Sequence, residues 1–275
     1  MKRILRTIYI KLLPGFAKRL ARSCYLWCSS TIFGLRFPGD RCQCNFCGFK
    51  ANRFVSCGYD EGVLVEKQVI GGGIRPNGRC PKCFSLDRER QIVVVLNELG
   101  LDKTSVVLHV APEKNLNVFV RKTITQNVHE CDLFPEYYRW ADNITKQDLT
   151  KLTYQANTFD LILCNHVFEH IPQDAIAFAE LHRVLKPGGY AILQIPYSEA
   201  IEETEEDLEN FDPLYQLQRF GQRTHVRIYQ KDDYIKRAEA SGLVSKFRSP
   251  EDLKKHAHLA FDEREGIFLF QKPPQ

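Results

Sequence analysis

From about residue 105 to the C-terminus, short apolar runs alternate with stretches of helical period. Val106-Val107-Leu108 reads as a buried strand, with a helix near 113–124 after it. A strand ending at Asp132, a short element ending at Asp148 and a buried strand over Phe159–Cys164 follow. Phe178, Leu181 and Leu185 share one side of a helix predicted over roughly 173–186, which Lys186-Pro187-Gly188-Gly189 breaks. A strand over 190–195, a helix near 232–241 and two late strands, 244–248 and 267–271, complete the pattern. Strand–helix alternation of this kind implies a parallel sheet wrapped by helices, so the fold class is α/β.

Upstream the pattern changes. Ser85 is placed to cap a helix in which Ile92, Leu96 and Leu99 share a face and Gly100 ends the run. Residues 40–84 are rich in glycine, turn residues and cysteine. Residues 1–22 put Ile4, Ile8 and Leu12 on one helical face, with Lys2, Arg3 and Arg6 elsewhere, before Pro14-Gly15 interrupts. The uncharged stretch 23–35 is too short to span a bilayer and lacks a signal-peptide pattern. The expected organisation is a basic amphipathic segment (1–39), a cysteine module (40–84) and a main domain (85–275), with an insertion over 199–224.

Charge modifies this picture. The chain of 275 residues has a net charge of +4, yet residues 1–39 hold eight Lys or Arg and no acid. The remainder has thirty basic against thirty-four acidic residues, a net of −4. The body therefore lacks the uniform basic field of a nucleic-acid binder. A basic amphipathic helix suits peripheral contact with an anionic membrane surface; packing on the main domain, or a mobile leader, is the alternative. The insertion is acidic at Glu202, Glu203, Glu205, Glu206, Asp207 and Glu209, and reads as a solvated helix face or as a lid. Ten cysteines with no secretory signal point to a reducing cytosol, with Cys131 and Cys164 as core thiols.

Cys44-Asn45-Phe46-Cys47 and Cys80-Pro81-Lys82-Cys83 form two CxxC pairs separated by 32 residues. Each such turn sets two thiolates on one side of an ion, and two turns complete a tetrahedral Zn²⁺ site. The expected ligands are Cys44, Cys47, Cys80 and Cys83, with Cys42 and Cys57 as nearby alternatives that lack a CxxC partner. Four protein ligands leave no open position, so this zinc is expected to be structural, within a small zinc ribbon.

Three predicted strand ends carry groups suited to a nucleotide cofactor, which doubly wound folds bind beyond the carboxyl ends of their strands. They are the segment His109–Glu113 (with Ala111), Asp132 for ribose hydroxyls, and Asp148-Leu149 for an adenine edge and an apolar wall. The string Thr158-Phe159-Asp160-Leu161-Ile162 … Glu169-His170-Ile171 … Arg183-Val184-Leu185-Lys186-Pro187-Gly188-Gly189 resembles class I S-adenosylmethionine-dependent methyltransferases of the type 11-like kind. The likeness covers roughly residues 103–200. With the CxxC pairs, the Leu108-to-Glu113 loop and Phe220-Gly221-Gln222 … His225-Val226-Arg227, the chain is similar to a zinc-ribbon-containing bacterial subgroup of undefined substrate.

The resemblance implies a Rossmann-like seven-stranded methyltransferase sheet, order 3-2-1-4-5-7-6, with the seventh strand antiparallel. It implies S-adenosylmethionine as cofactor, held by His109, Ala111, Glu113, Asp132, Leu133, Asp148, Leu149, Asn165 and His166. The first loop departs from the family's acid-x-Gly-x-Gly: His109 replaces the acid and Ala111-Pro112 the glycines, leaving Glu113 to hold the cofactor's ammonium group. Methyl transfer is a direct displacement that needs alignment and often a base, without a catalytic metal. His166, His170 and His225 are the candidate bases. Together with His225, Arg227 is expected to bind an anionic acceptor, and Glu169 to cap or orient its turn. The acceptor is expected to be a small molecule or a saccharide, methylated at oxygen. Two rivals stand: an RNA methyltransferase that grips nucleic acid through its zinc ribbon, and a non-catalytic scaffold.

Overall fold

The structure is a computed structural model that describes residues 30–141 and 143–274. The basic segment 1–22, read either as packing on the main domain or a mobile leader or as a membrane contact, lies outside the described residues. No helix among the described residues is long and apolar enough to cross a membrane.

Four short strands come first. β1 (Cys42–Gln43) pairs antiparallel with β2 (Lys50–Ala51), and β3 (Val55–Cys57) pairs antiparallel with β4 (Arg75–Arg79). The main sheet then begins with β5 (Val107–Val110), β6 (Val128–Asp132), β7 (Thr145–Lys146), β8 (Phe159–Cys164) and β9 (Leu185–Ile192). A smaller sheet holds β10 (Tyr197–Ser198), β11 (Glu205–Glu206) and β12 (Arg227–Gln230), in the order β10-β12-β11. β13 (Val244–Ser245) and β14 (Leu269–Gln271) return to the main sheet, whose order is β13-β14-β9-β8-β5-β6-β7. From β7 to β13 this is 3-2-1-4-5-7-6, with β14 antiparallel to β9 as expected.

Strand alternation divides the core. Leu108, Val110, Ile162 and Cys164 face one layer with Phe168, Phe178, Tyr234 and Phe268. Val107, Leu161, Leu163 and Ile192 face the other, against Ile92, Val95, Leu116 and Val120. Both faces are covered, as a parallel sheet requires. Each of these aliphatic and aromatic side chains contributes roughly 1.5–3 kcal/mol by leaving water.

The helix Asp87–Leu96 is buried along nearly its whole length. Ser85, expected as its cap, instead lies fully buried with Oγ 3.3 Å from both Cys44 Sγ and Cys83 Sγ. The start is closed by Glu89, whose carboxylate accepts from the Leu86 N–H at 2.6 Å. Arg90, fully buried, donates to the carbonyls of Asn77, Ser85, Leu259 and Ala260. Four carbonyls from distant segments converge on one cation, which ties the cysteine module to the turn Lys254–Leu259 that precedes the last strand.

Two expectations are corrected. The strand expected at 190–195 starts at Leu185, because Lys186-Pro187-Gly188-Gly189 continues the extended chain through a register shift after ending the helix Asp174–Val184. The acidic run is not a helix face: Glu205 and Glu206 form β11, where Glu205 pairs with Lys67 at 2.6 Å and Glu206 with Arg227 at 2.9 Å. The helix of this insertion lies later, over Pro213–Phe220, capped by Asp212.

Candidate active site

β5 ends at Val110, and Ala111 turns the chain with φ 47°, a left-handed conformation that favours glycine. Its N–H donates to Cys131 O at 2.9 Å, which holds the turn against β6. Glu113 precedes the helix Lys114–Thr123 and faces three donors: His109 Nε2 at 3.0 Å, Asn165 Nδ2 at 3.2 Å and Arg88 Nε at 3.6 Å. Burial alone would raise its carboxyl, but the bond from His109 and the neighbouring Arg88 and Asn165 hold it below the ordinary range.

His109 is fully buried and Asn165 nearly so. Neither they nor Glu113 lines either of the two cavities described below. All three were expected to meet the cofactor; His109 and Asn165 instead brace Glu113, His109 from a position in a central strand that the helices cover.

The larger cavity, about 710 Å³, opens at the carboxyl ends of β5, β6 and β8. Asp132 and Asp148 enter it from one side, and Leu149, Val167 and Ile171 supply an apolar wall. Ala111 and Leu133 line it as well. Asp132 accepts from the Phe134 N–H at 2.7 Å and from Tyr138 Oη at 2.6 Å. Asp148 accepts from the Thr150 N–H and hydroxyl. Each carboxylate is thus fixed in direction and retains acceptor capacity.

A second cavity, about 450 Å³, lies on the other side of His166 and His170, which line both. Its far wall comes from the cysteine module: Cys57, Tyr59, Gly71–Gly73 and Arg75, with Arg88 from the helix that follows. Gly58 is required here, since a Cβ would meet Gly73 O at 1.7 Å. The loop is tied to the sheet by Ile70 paired with Tyr197, and by Ser198 Oγ donating to Lys67 O at 2.5 Å.

His166 follows β8 with φ 55° and its N–H donates to Gln194 O at 2.7 Å. Its Nδ1 is 3.4 Å from Glu169 Oε1, and Nε2 has no partner. Glu169, in the turn Phe168–His170, is 1% exposed, and neither carboxylate oxygen accepts a hydrogen bond. Burial pushes its carboxyl up to about 8, offset in part by its own backbone N–H and by Arg88 and Arg227. His225 Nε2 lies 3.9 Å from Glu169 Oε1, and the His170 and His225 rings meet edge to face at 4.7 Å. Burial lowers all three histidines, His225 to about 3 with a further contribution from His170. The structure therefore brings the three expected histidines together and sets Glu169 between them. The sequence hinted at this only through the Glu169-His170 dipeptide, because His225 arrives from a loop 55 residues later.

Arg227 is corrected. Its side chain is fully buried and lines neither cavity. The guanidinium donates to Glu206 at 2.9 Å, to the carbonyls of Phe168, Ile171 and Pro172, and to Tyr229 Oη. With its donors engaged it fastens β12 to the turn carrying Glu169, and it has nothing left for an anionic acceptor. Arg88, which sequence reasoning missed, lines the second cavity together with Arg75: its Nε has no hydrogen-bond partner among the described residues and it faces Glu113.

Cys44, Cys47, Cys80 and Cys83 have sulfurs within 4.8 Å of one another. Cys44 Sγ to Cys83 Sγ is 3.5 Å and Cys47 Sγ to Cys80 Sγ is 3.7 Å. Zinc–sulfur bonds of about 2.3 Å in a tetrahedron place sulfurs about 3.8 Å apart, so the donor set fits the ion. Cys42 and Cys57 stand outside this cluster.

Residues 108–193 match the methyltransferase domain family. No curated protein matches the chain. Among solved structures, the chain is similar to an S-adenosylmethionine-dependent methyltransferase from Mesorhizobium loti, at 13% identity and a TM-score of 0.45, covering 66% of this chain and 97% of that one. Phosphoethanolamine N-methyltransferase 2 from Haemonchus contortus, in complex with phosphomonomethylethanolamine and S-adenosylhomocysteine, matches at 15% identity and a TM-score of 0.44 over 67% of this chain and 52% of that one. The [4+2]-cyclase SpnF matches at 17% identity and a TM-score of 0.43 over 68% and 82%.

Proposed function

We propose that this chain, whose residues 108–193 form a methyltransferase domain, transfers the methyl group of S-adenosylmethionine to an oxygen of a small-molecule or saccharide acceptor. The observation that carries this reading is the pair of cavities that meet at His166 and His170, one edged by Asp132 and Asp148, the other enclosed by the cysteine module. A displacement needs two ligands aligned on either side of one point, and the chain offers two chambers that share His166 and His170 as a common wall. A chamber of about 450 Å³ suits a small acceptor rather than a polynucleotide.

S-adenosylmethionine supplies, when bound, an electrophilic methyl on a positively charged sulfur. Asp132 would receive the ribose hydroxyls, with Leu133 beside it, and Asp148 and Leu149 would meet the adenine. The tight turn at Ala111 would let backbone approach the methionine portion, and Glu113, which lines neither cavity, would act on the ammonium group through its charge from behind that turn. His166 lines both chambers, and its Nε2, buried and without a partner among the described residues, would accept the acceptor's proton once a bound acceptor reaches it. Zn²⁺ on the four cysteines would hold the module that walls the acceptor chamber.

Isothermal titration of the zinc-loaded protein with S-adenosylhomocysteine tests the reading. A micromolar Kd is expected, weakened about tenfold or more in Asp132→Ala, the loss of about one charge-assisted hydrogen bond. Absence of binding by a folded, metal-loaded chain would replace the enzyme reading with that of a scaffold.

A further inference from the structure

We propose that Glu169, His170 and His225 form a second metal site, for a divalent first-row transition ion, in the wall of the acceptor chamber. One donor atom from each lies within 4.8 Å of the others. The site is separate from the four-cysteine cluster and rests on the methyltransferase reading for its role, though not for its existence.

Three observations carry it. First, Glu169 is 1% exposed, and among the described residues neither of its carboxylate oxygens receives a hydrogen bond, with His166 Nδ1 at 3.4 Å and His225 Nε2 at 3.9 Å from Oε1. A buried carboxyl without donors is costly, and a bound cation removes that cost. Arg88 and Arg227 act on it through space but donate no hydrogen bond to it, since Arg227 is committed elsewhere and Arg88 faces Glu113. Second, the two histidines are oriented as metal ligands are. His170 Nδ1 is 3.1 Å from Thr224 O and 2.9 Å from its hydroxyl, which leaves the other ring nitrogen available. His225 turns Nε2 toward Glu169, while the Phe220 backbone lies on its other side. A carbonyl behind one ring nitrogen fixes the tautomer that presents a lone pair at the other. Third, all three residues line the chamber. Three protein ligands leave coordination positions open toward it, the arrangement of a catalytic rather than a structural site.

The donor set decides the ion. Two imidazoles and a carboxylate suit Zn²⁺, Mn²⁺, Fe²⁺ or Co²⁺, whereas Ca²⁺ and Mg²⁺ prefer oxygen ligands throughout. The acceptor class follows: a hydroxyl compound that binds the ion through oxygen. Coordination would acidify that hydroxyl, whose proton leaves to solvent or to His166. The oxygen lone pair then forms the bond to the methyl carbon as the carbon–sulfur bond breaks, its electrons returning to sulfur. The products are a methyl ether and uncharged S-adenosylhomocysteine.

Cobalt titration of the untagged, chelator-stripped full chain tests the site. Wild type should take up two equivalents of Co²⁺, one with strong sulfur-to-metal charge transfer and one with weak visible bands alone. Glu169→Gln and His225→Ala should each lose the second equivalent and keep the thiolate bands; Cys80→Ser should do the reverse. A single equivalent in wild type under excess Co²⁺, or a second equivalent that survives both substitutions, overturns the proposal. The wild-type count decides even if a variant fails to fold. S-adenosylhomocysteine binding, measured in parallel, reports separately on the methyltransferase reading.

Discussion

Ala111 holds a φ of 47° at the point where the chain turns beneath the larger cavity. A Cβ in that region costs of order 1 kcal/mol, tolerable for alanine and more severe for a β-branched residue. Ala111→Gly should therefore keep S-adenosylhomocysteine affinity within a few-fold, while Ala111→Val should weaken it at least tenfold by isothermal titration. Equal affinity in both variants would show that the loop does not touch the ligand. Elsewhere, Glu265 is 1% exposed, and Gln194 Nε2 donates to it at 3.1 Å. Burial, then Asp87 and Asp262, push its carboxyl from 4.5 up to about 8 against the opposing Arg75 and Arg88. The folded state thus holds a proton that the unfolded state releases, so stability falls as pH rises from about 4.5 to 8. Glu265→Gln should raise the urea midpoint at pH 8 and leave it nearly unchanged at pH 4; a lowered midpoint at pH 8 would mean an ionised, paired carboxylate.

At the scale of elements, β12 is the clearest case of a residue whose chemistry was legible and whose role was not. An arginine two residues past His225 reads as an anion anchor in sequence. In the fold it crosses from β12 to β11 and to the turn after β8, so its charge holds three segments together. Removing one partner of such a buried network costs about 3–5 kcal/mol. Arg227→Leu should lower the unfolding temperature by several degrees while the chain, once folded, still binds S-adenosylhomocysteine; an unchanged melting curve would sink this assignment. Ser85 teaches the same lesson. A hydroxyl before an apolar run looks like a helix cap, yet it sits beside the cysteine sulfurs, and Glu89 closes the helix instead.

Across the whole molecule, the cysteine module and the main domain share one chamber. The segment between β3 and β4 forms its wall, and β4 runs directly into Cys80. Loss of a metal held by the four cysteines should loosen that wall without reaching the larger cavity, whose lining runs from Val110 to Thr224. Cys80→Ser should lower the unfolding temperature by roughly 10 °C, since structural zinc contributes folding free energy directly. S-adenosylhomocysteine affinity should change less than threefold. If affinity for the cofactor product falls in step with zinc content, the two parts are coupled more tightly than the geometry indicates.

Much of this was local and therefore legible. The alternation of apolar runs and helices, the glycine-bearing breaks and the motif over 158–189 specify the sheet, because each depends on neighbours within a few turns of the chain. The CxxC spacing specifies the sulfur cluster for the same reason. Asp132 and Asp148 followed from strand ends, which topology alone directs to one edge. What only the tertiary structure decided depends on long-range approach: Glu169 buried among three histidines, Arg88 facing Glu113 across 25 residues, Arg227 withdrawn into a network, and the module's loop closing the second chamber. Burial and partner choice set the charge and availability of each of these groups, and both are properties of the packed chain rather than of any local stretch of it.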